Sequence, residues 1–173
     1  MTGLPASGKS SIAAAIADRA NLPLFSADPL EAALIRRGIT RDHGSGYAAY
    51  DLLETLVDTH LGMGQSVVVD ACNHLDTMRA AWSELCRLHG AELFVIECGC
   101  SDPTIHRRRF DERERGLDGF PEPSWEDVET VRDAWTSWPE PAVRIDSLDP
   151  HRANLELALV ELGGRLVSGS VGR

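Results

Sequence analysis

The chain has 173 residues, 27 acidic against 17 basic side chains for a formal charge of −10, and 43% hydrophobic residues. These values describe a soluble globular protein of single-domain size and exclude one that coats nucleic acid through a basic surface. No apolar run approaches the ~20 residues that span a bilayer, and no basic-then-apolar leader opens the chain, so the expectation is cytoplasmic.

The first element is a motif. Gly3-Leu4-Pro5-Ala6-Ser7-Gly8-Lys9-Ser10 fits the G-x-x-x-x-G-K-S pattern of a P-loop. Its glycines let backbone N–H groups turn toward phosphate oxygens. Of the 17 basic side chains one is lysine, Lys9, and it stands in the phosphate-binding position of that pattern. Ser10 to Ala20 is alanine-rich with Ile12 and Ile16 one turn apart, and predicts a helix whose positive N-terminus faces the same anion.

Leu22 to Phe25 predicts a short strand, and Pro29 to Arg37 a helix capped by Asp28. After a polar stretch, a helix runs from about Tyr47 to Leu61 and is closed by Gly62. Ser66 to Asp70 is the clearest strand, apolar without alternation, as in a strand buried on both faces. A helix from Leu75 to His89 follows, stopped by Gly90. Leu93 to Cys98 is the next strand. Asp102-Pro103 opens an arginine-rich helix to about Glu114, Gly116 to Pro123 is a loop, and Ser124 with Asp127 begins a helix by a capping box. Ala142 to Ile145 is the last strand, and Asp149-Pro150 opens a final helix. A single domain over residues 1–173 is expected, with a lid at about 107–124 and a flexible tail at 163–173.

Strands alternating with helices predict a parallel sheet covered on both faces. A P-loop joins a strand to a helix, yet only Met1 and Thr2 precede Gly3. A first strand of about five residues is therefore truncated: either a segment precedes Met1, or the sheet lacks that strand. The first is favoured, because an empty central slot exposes two strand edges.

Several side chains are placed for chemistry. Lys9 suits the β- and γ-phosphates, and the Ser10 hydroxyl suits Mg²⁺. Asp70 ends a strand where open α/β sheets line their ligand crevice, and could hold Mg²⁺ through water or cap the next helix. Asp28 follows the preceding strand, as a base for an attacking hydroxyl or as a helix cap. Among Arg107, Arg108, Arg109, Arg113 and Arg115, one or two suit the charge on a transferring phosphoryl group, with Arg115 and Arg113 foremost; the rest pair with Asp111, Glu112 and Glu114. Cys72, Cys86, Cys98 and Cys100 read as structural thiols. No histidine receives a role. Trp125, Trp135 and Trp138 read as core or lid packing before base stacking.

Together, GLPASGKSS (Gly3–Ser11), FSAD (Phe25–Asp28), VVVDACNHLDTMR (Val67–Arg79), RRRFDERERG (Arg107–Gly116), PSWEDVE and WPEPAVRID resemble the small P-loop kinase family that includes polynucleotide kinases and chloramphenicol phosphotransferases. The resemblance implies a three-layer P-loop NTPase fold. It also implies ATP and Mg²⁺ as cofactors, with Pro5, Ala6, Ser7, Gly8, Lys9, Ser10, Ser11 and Arg109 on the nucleotide. It places the general base at Asp28, the acceptor site at Asp70, Asn73 and Arg79, metal ligation at Ser10 and Asp70, and lid arginines at Arg113 and Arg115. One position departs: members acting on polynucleotides carry an arginine three residues after the base, and here Glu31 stands there.

That carboxylate should repel a phosphorylated acceptor. The reading is therefore an ATP-dependent kinase of a small-molecule hydroxyl, monomeric or weakly dimeric, with a polynucleotide 5′-hydroxyl disfavoured as acceptor. The alternatives are that polynucleotide kinase or an ATP-driven switch without an acceptor. A guanine-specific switch is excluded, because its Asn-Lys-x-Asp needs a second lysine.

Overall fold

A computed structural model of the chain describes residues 1–136, 138 and 142–169. Among the described residues the strands are β1 Leu24–Ser26, β2 Val68–Asp70, β3 Val95–Gly99 and β4 Ala142–Asp146. The helices are α1 Lys9–Ala20, α2 Ala27–Arg36, α3 Ser45–Gly62, α4 Asp76–His89, α5 Pro103–Asp111, α6 Trp125–Asp133 and α7 His151–Gly169. This is the α/β P-loop NTPase fold that the sequence implied.

The strands pair in parallel, β1 with β2 in the register Leu24–Val68, and β3 with β4 in the register Val95–Ala142. Met1 and Thr2 join the two pairs. The Met1 amino group donates to the Val69 carbonyl at 2.7 Å, and the Ala71 amide donates to the Met1 carbonyl at 3.3 Å. Thr2 donates to the Ile96 carbonyl and accepts from the Cys98 amide, both at 2.9 Å. The spatial order is thus β1, β2, Met1–Thr2, β3, β4, with the first strand reduced to two residues.

Two apolar clusters hold the layers together. Ile12 and Ile16 of α1 and Ala158 of α7 pack on Ile96, Cys98 and Ile145. Leu53 and Val57 of α3 and Trp82 of α4 pack with Val95 and Ala71. Adjacent Val95 and Ile96 serve opposite clusters because successive strand residues point to opposite faces.

Local signals acted as expected at several ends. The Asp102 carboxylate accepts from the Thr104 and Ile105 amides with Pro103 in the first turn, and Ser124 and Asp127 form a reciprocal capping box. Other boundaries differ. Helix α2 begins at Ala27, so Asp28 lies in its first turn instead of capping it. Helix α5 stops at Asp111, leaving Arg113 and Arg115 in the following loop. Val67, Val68 and Val69 are half-buried instead of covered on both faces.

Helix α7 continues past Gly163, where the tail was expected, since extending a docked helix costs far less than starting one. Residues 170–173, and Ser137 and 139–141 within or beside the WPEPAVRID segment, lie outside the described residues. No helix among the described residues is long and apolar enough to cross a membrane.

Candidate active site

The P-loop runs from the Met1–Thr2 bridge into α1 over the carboxyl end of the sheet. Ala6 and Gly8 adopt positive φ, 62° and 88°, which curls the loop. Three groups brace it from beneath. The Cys98 thiol donates to the Ser7 carbonyl at 2.8 Å, the His106 ring bonds the Pro5 carbonyl at 2.7 Å, and the Thr2 hydroxyl donates to the Cys72 carbonyl at 2.6 Å. Burial pushes the Cys98 thiol up to about 11, so it is a neutral donor. Lys9 is buried at the start of α1, whereas Ser10 and Ser11 face solvent.

Asp70, 6% exposed, sits beside the loop at the end of β2. The Ser26 hydroxyl donates to its Oδ2 at 3.4 Å, while its Oδ1 is buried without a hydrogen-bond partner among the described residues. The Ser7 hydroxyl is orphaned in the same way. An unmet buried polar group costs about 1–3 kcal/mol, so these atoms suit a polar ligand above the loop. The donor set fits Mg²⁺, which takes one or two protein oxygens and leaves the rest to water and phosphate; Asp70 and Ser10 would supply them.

Asp28 is reached from the opposite side. Arg115, from the loop after α5, donates to its Oδ2 and also to both Glu122 oxygens, at 2.9 and 2.8 Å. Arg113 donates to the same Glu122 at 2.6 Å. The Arg115 guanidinium lies 4.4 Å from the Phe120 ring centre, and that of Arg113 lies 4.4 Å from Phe110. Burial raises the Glu122 carboxyl, but the two arginines outweigh it and hold it below its ordinary range. Asp28 and Asp70 converge around Tyr50: burial above all pushes its phenol up, and both carboxylates add to that shift.

The remaining predicted residues lie apart from these groups or beneath them. Asn73, at φ 55°, gives its amide to the Tyr50 hydroxyl at 3.0 Å and its side-chain oxygen to the Trp82 indole at 2.8 Å. Arg79 is buried, donates to the Asn73 carbonyl at 2.8 Å and to Thr136 at 2.9 Å, and lies against Trp135 and Trp138. In this structure both brace the chain after β2, and neither side chain lies open on the crevice. Arg109 crosses to the loop after β4, where it donates to the Ser147 hydroxyl at 2.8 Å and carbonyl at 3.1 Å. Trp125 packs edge-on against His106 and Phe110.

Sequence reasoning missed three participants. His106 carried the signal of a histidine one turn inside a helix whose cap was already legible. Glu122 carried none, being one acid in a loop of mixed charge. Glu31 was read as a free negative charge, and that reading is corrected here. Its Oε1 accepts from Arg41 at 3.1 Å and from the Ser45 hydroxyl at 2.9 Å, so an arginine ten residues away offsets the charge.

A P-loop entering a helix at the carboxyl edge of a parallel sheet defines the P-loop NTPase class. Residues 1–133 match the model of the AAA domain family, and the chain belongs to that family. No curated protein matches it. A sugar kinase from Janibacter sp. superposes with a TM-score of 0.69 at 21% identity, over 94% of this chain and 91% of that one. A gluconokinase from Sinorhizobium meliloti gives 0.69 at 19% identity, over 98% and 93%. The Mycobacterium tuberculosis APS kinase, solved with AMPPNP and APS, gives 0.65 at 18% identity, over 94% of each chain. The shared fold is that of the small P-loop kinases.

Proposed function

We propose that the protein is an ATP-dependent kinase that phosphorylates a hydroxyl of a small-molecule acceptor. The observation that carries this reading is the meeting of Asp28 with Arg115, at the edge where the P-loop and Asp70 also end. A base, a mobile cation and a phosphate cradle at one crevice are the parts that phosphoryl transfer needs.

In this reading the P-loop amides and Lys9 hold the β- and γ-phosphates, and Ser11 and Arg109 border the nucleotide. Mg²⁺, held by Ser10 and Asp70, would neutralise charge on the phosphate oxygens. Asp28 releases Arg115 when an acceptor enters, and its carboxylate takes the hydroxyl proton as the new O–P bond forms and the bond to the ADP oxygen breaks. Freed from Asp28, Arg115 turns with Arg113 toward the transferring group, whose developing charge a guanidinium fork stabilises.

The net charge of −10 and the sugar and gluconate kinases of like fold support a small acceptor over a nucleic acid end. Glu31 no longer adds to that argument, since Arg41 offsets it. An acceptor screen with γ-labelled ATP tests the reading, using sugars, sugar acids, amino alcohols and a 5′-hydroxyl oligonucleotide. Label transfer to a small hydroxyl compound is expected. Transfer to the oligonucleotide alone, or ADP release indifferent to every acceptor, would overturn it in favour of a polynucleotide kinase or a switch.

A further inference from the structure

The sheet is joined across its middle only at its carboxyl end, where Met1 and Thr2 bond to Val69, Ala71, Ile96 and Cys98. Toward the amino ends of β2 and β3 their facing edges part around a cavity of about 770 Å³. Its edges are Val67, Val69, Leu93 and Ile96, and its two faces include Ile16 of α1 and Trp82 of α4. The lining extends back to the turns at Gly64 and Gly90 that precede the strands. The cavity thus runs the length of a strand and lies in the plane of the sheet, with helices above and below.

We infer that this cavity is a strand slot, and that its occupant is an extended apolar segment of polypeptide that runs parallel to β2 and β3 and continues into Met1. Three observations carry it, independently of the catalytic reading.

The first is the direction of the backbone groups. The Val68 amide bonds the Pro23 carbonyl on the β1 side, whereas the Val69 carbonyl accepts from Met1. The alternation of a parallel ladder therefore turns the Val69 amide toward the slot. The Ile96 carbonyl accepts from Thr2, so the Ile96 amide turns toward it from the other side. A strand entering Met1 would set the carbonyl of its last residue against Ile96 and that of the residue before against Val69. Two peptide edges facing inward at ladder spacing suit a strand, and a lipid or other apolar ligand would leave them unmet.

The second is the Met1 amino group. It is buried, and it occupies the place of a strand amide by donating to the Val69 carbonyl. Burial holds the ammonium below its ordinary pKa, against the opposing pull of Asp70. A peptide N–H would make the same bond without a charge to desolvate.

The third is β2 itself. Val67, Val68 and Val69 have the unbroken β-branched pattern of a strand covered on both faces, yet all three are half-buried. About five residues, near 17 Å at strand rise, is the ordinary length of such an element. Its side chains would alternate between two apolar helix layers, so the segment itself should be apolar throughout.

The test is a chain extended before Met1 by five valine- and isoleucine-rich residues, compared with the 173-residue chain and with an extension whose second residue before Met1 is proline. The plain extension should raise the Tm by roughly 10 °C and slow amide exchange at Val69 and Ile96 at least tenfold. The proline form should lose most of both effects, because proline cannot donate to the ladder. An extension that leaves Tm and exchange unchanged would overturn the inference. So would equal effects from the proline form, which would mark the cavity as a greasy pocket without strand pairing. Neither readout depends on ATP or an acceptor, so failure here is distinct from failure of the kinase reading.

Discussion

Asp28 and Arg115 stand 87 positions apart and meet in an ion pair that ties the first turn of α2 to the loop after α5. Glu122 holds the other edge of the same guanidinium, so Arg115 bridges a carboxylate of the crevice and one of the lid. Breaking the Asp28 contact costs little, because a half-exposed pair is worth no more than about 1 kcal/mol. The lid is latched weakly enough for an entering acceptor to displace Arg115.

Asp28→Asn should lower acceptor-dependent phosphoryl transfer by about 10²- to 10⁴-fold, the range for a lost general base, while ATP affinity stays within a few-fold. Parallel measurement of turnover and nucleotide binding checks this. Wild-type turnover in the variant would remove Asp28 from the chemistry.

Arg115→Ala should slow turnover by at least tenfold with little change in Tm, since its pairs are part-exposed and weak one by one. The pattern to look for is a fall in kcat larger than any rise in KM. A rise in KM alone would show Arg115 to be a binding residue of the lid.

Arg79→Ala should behave in the opposite way. The side chain is buried among Asn73, Trp135 and Trp138, so its loss should cost roughly 3 kcal/mol of stability and several degrees of Tm. Intrinsic tryptophan fluorescence should change with it. An unchanged Tm with a raised acceptor KM would restore the substrate-binding role that the family resemblance implied.

The His106 pair predicts a pH effect. Its Nδ1 faces an Arg132 N–H at 3.1 Å and its Nε2 faces the Pro5 carbonyl, an arrangement met by the neutral ring with the proton on Nε2. Burial lowers its pKa, Arg132, Arg109 and Arg113 lower it further, and the Pro5 bond only partly offsets them. The folded pKa lies below the unfolded value of about 6.5, so the unfolded chain binds the proton more readily. Stability from this group is complete above about pH 6.5 and is lost as pH falls below it, by at most about 1.4 kcal/mol per pH unit. Thermal melts between pH 8 and pH 5 should show the slope, and His106→Gln should flatten it.

Gly3→Ala should disable the loop. At φ 149° a Cβ would meet the Cys98 carbonyl oxygen at 2.3 Å and the Ser7 hydroxyl at 2.7 Å, and the first of these is backbone that cannot swing aside. Nucleotide binding should fall at least tenfold, read by titration with a fluorescent ATP analogue.

The parts legible in the sequence were those written within a few residues. Helix caps at Asp102 and Ser124, the stop at Gly90 and the curl of the P-loop each follow from the φ preference or side-chain oxygen of one position. The residues that missed their expected setting, Arg79 and Glu31, are long side chains whose partners come from elsewhere in the chain. A charge read in isolation looks available to a ligand. A guanidinium can also be taken inside by two indoles and a carbonyl, and no local pattern announces that.

By itself, then, the sequence determined the phosphate loop, the alternation of strand and helix, and the placing of Asp28 and Asp70 at strand ends, because glycine conformations and hydrophobic period are local properties. The tertiary structure decided which arginine meets Asp28, that Arg79 and Asn73 brace the chain after β2, that His106 supports Pro5, and that Met1 and Thr2 bridge two pairs of strands across a strand-length cavity. Those are contacts between segments tens of residues apart. They form only where packing of the two helix layers brings the segments together, and burial then sets which charges are paired and which backbone groups are left to meet a strand.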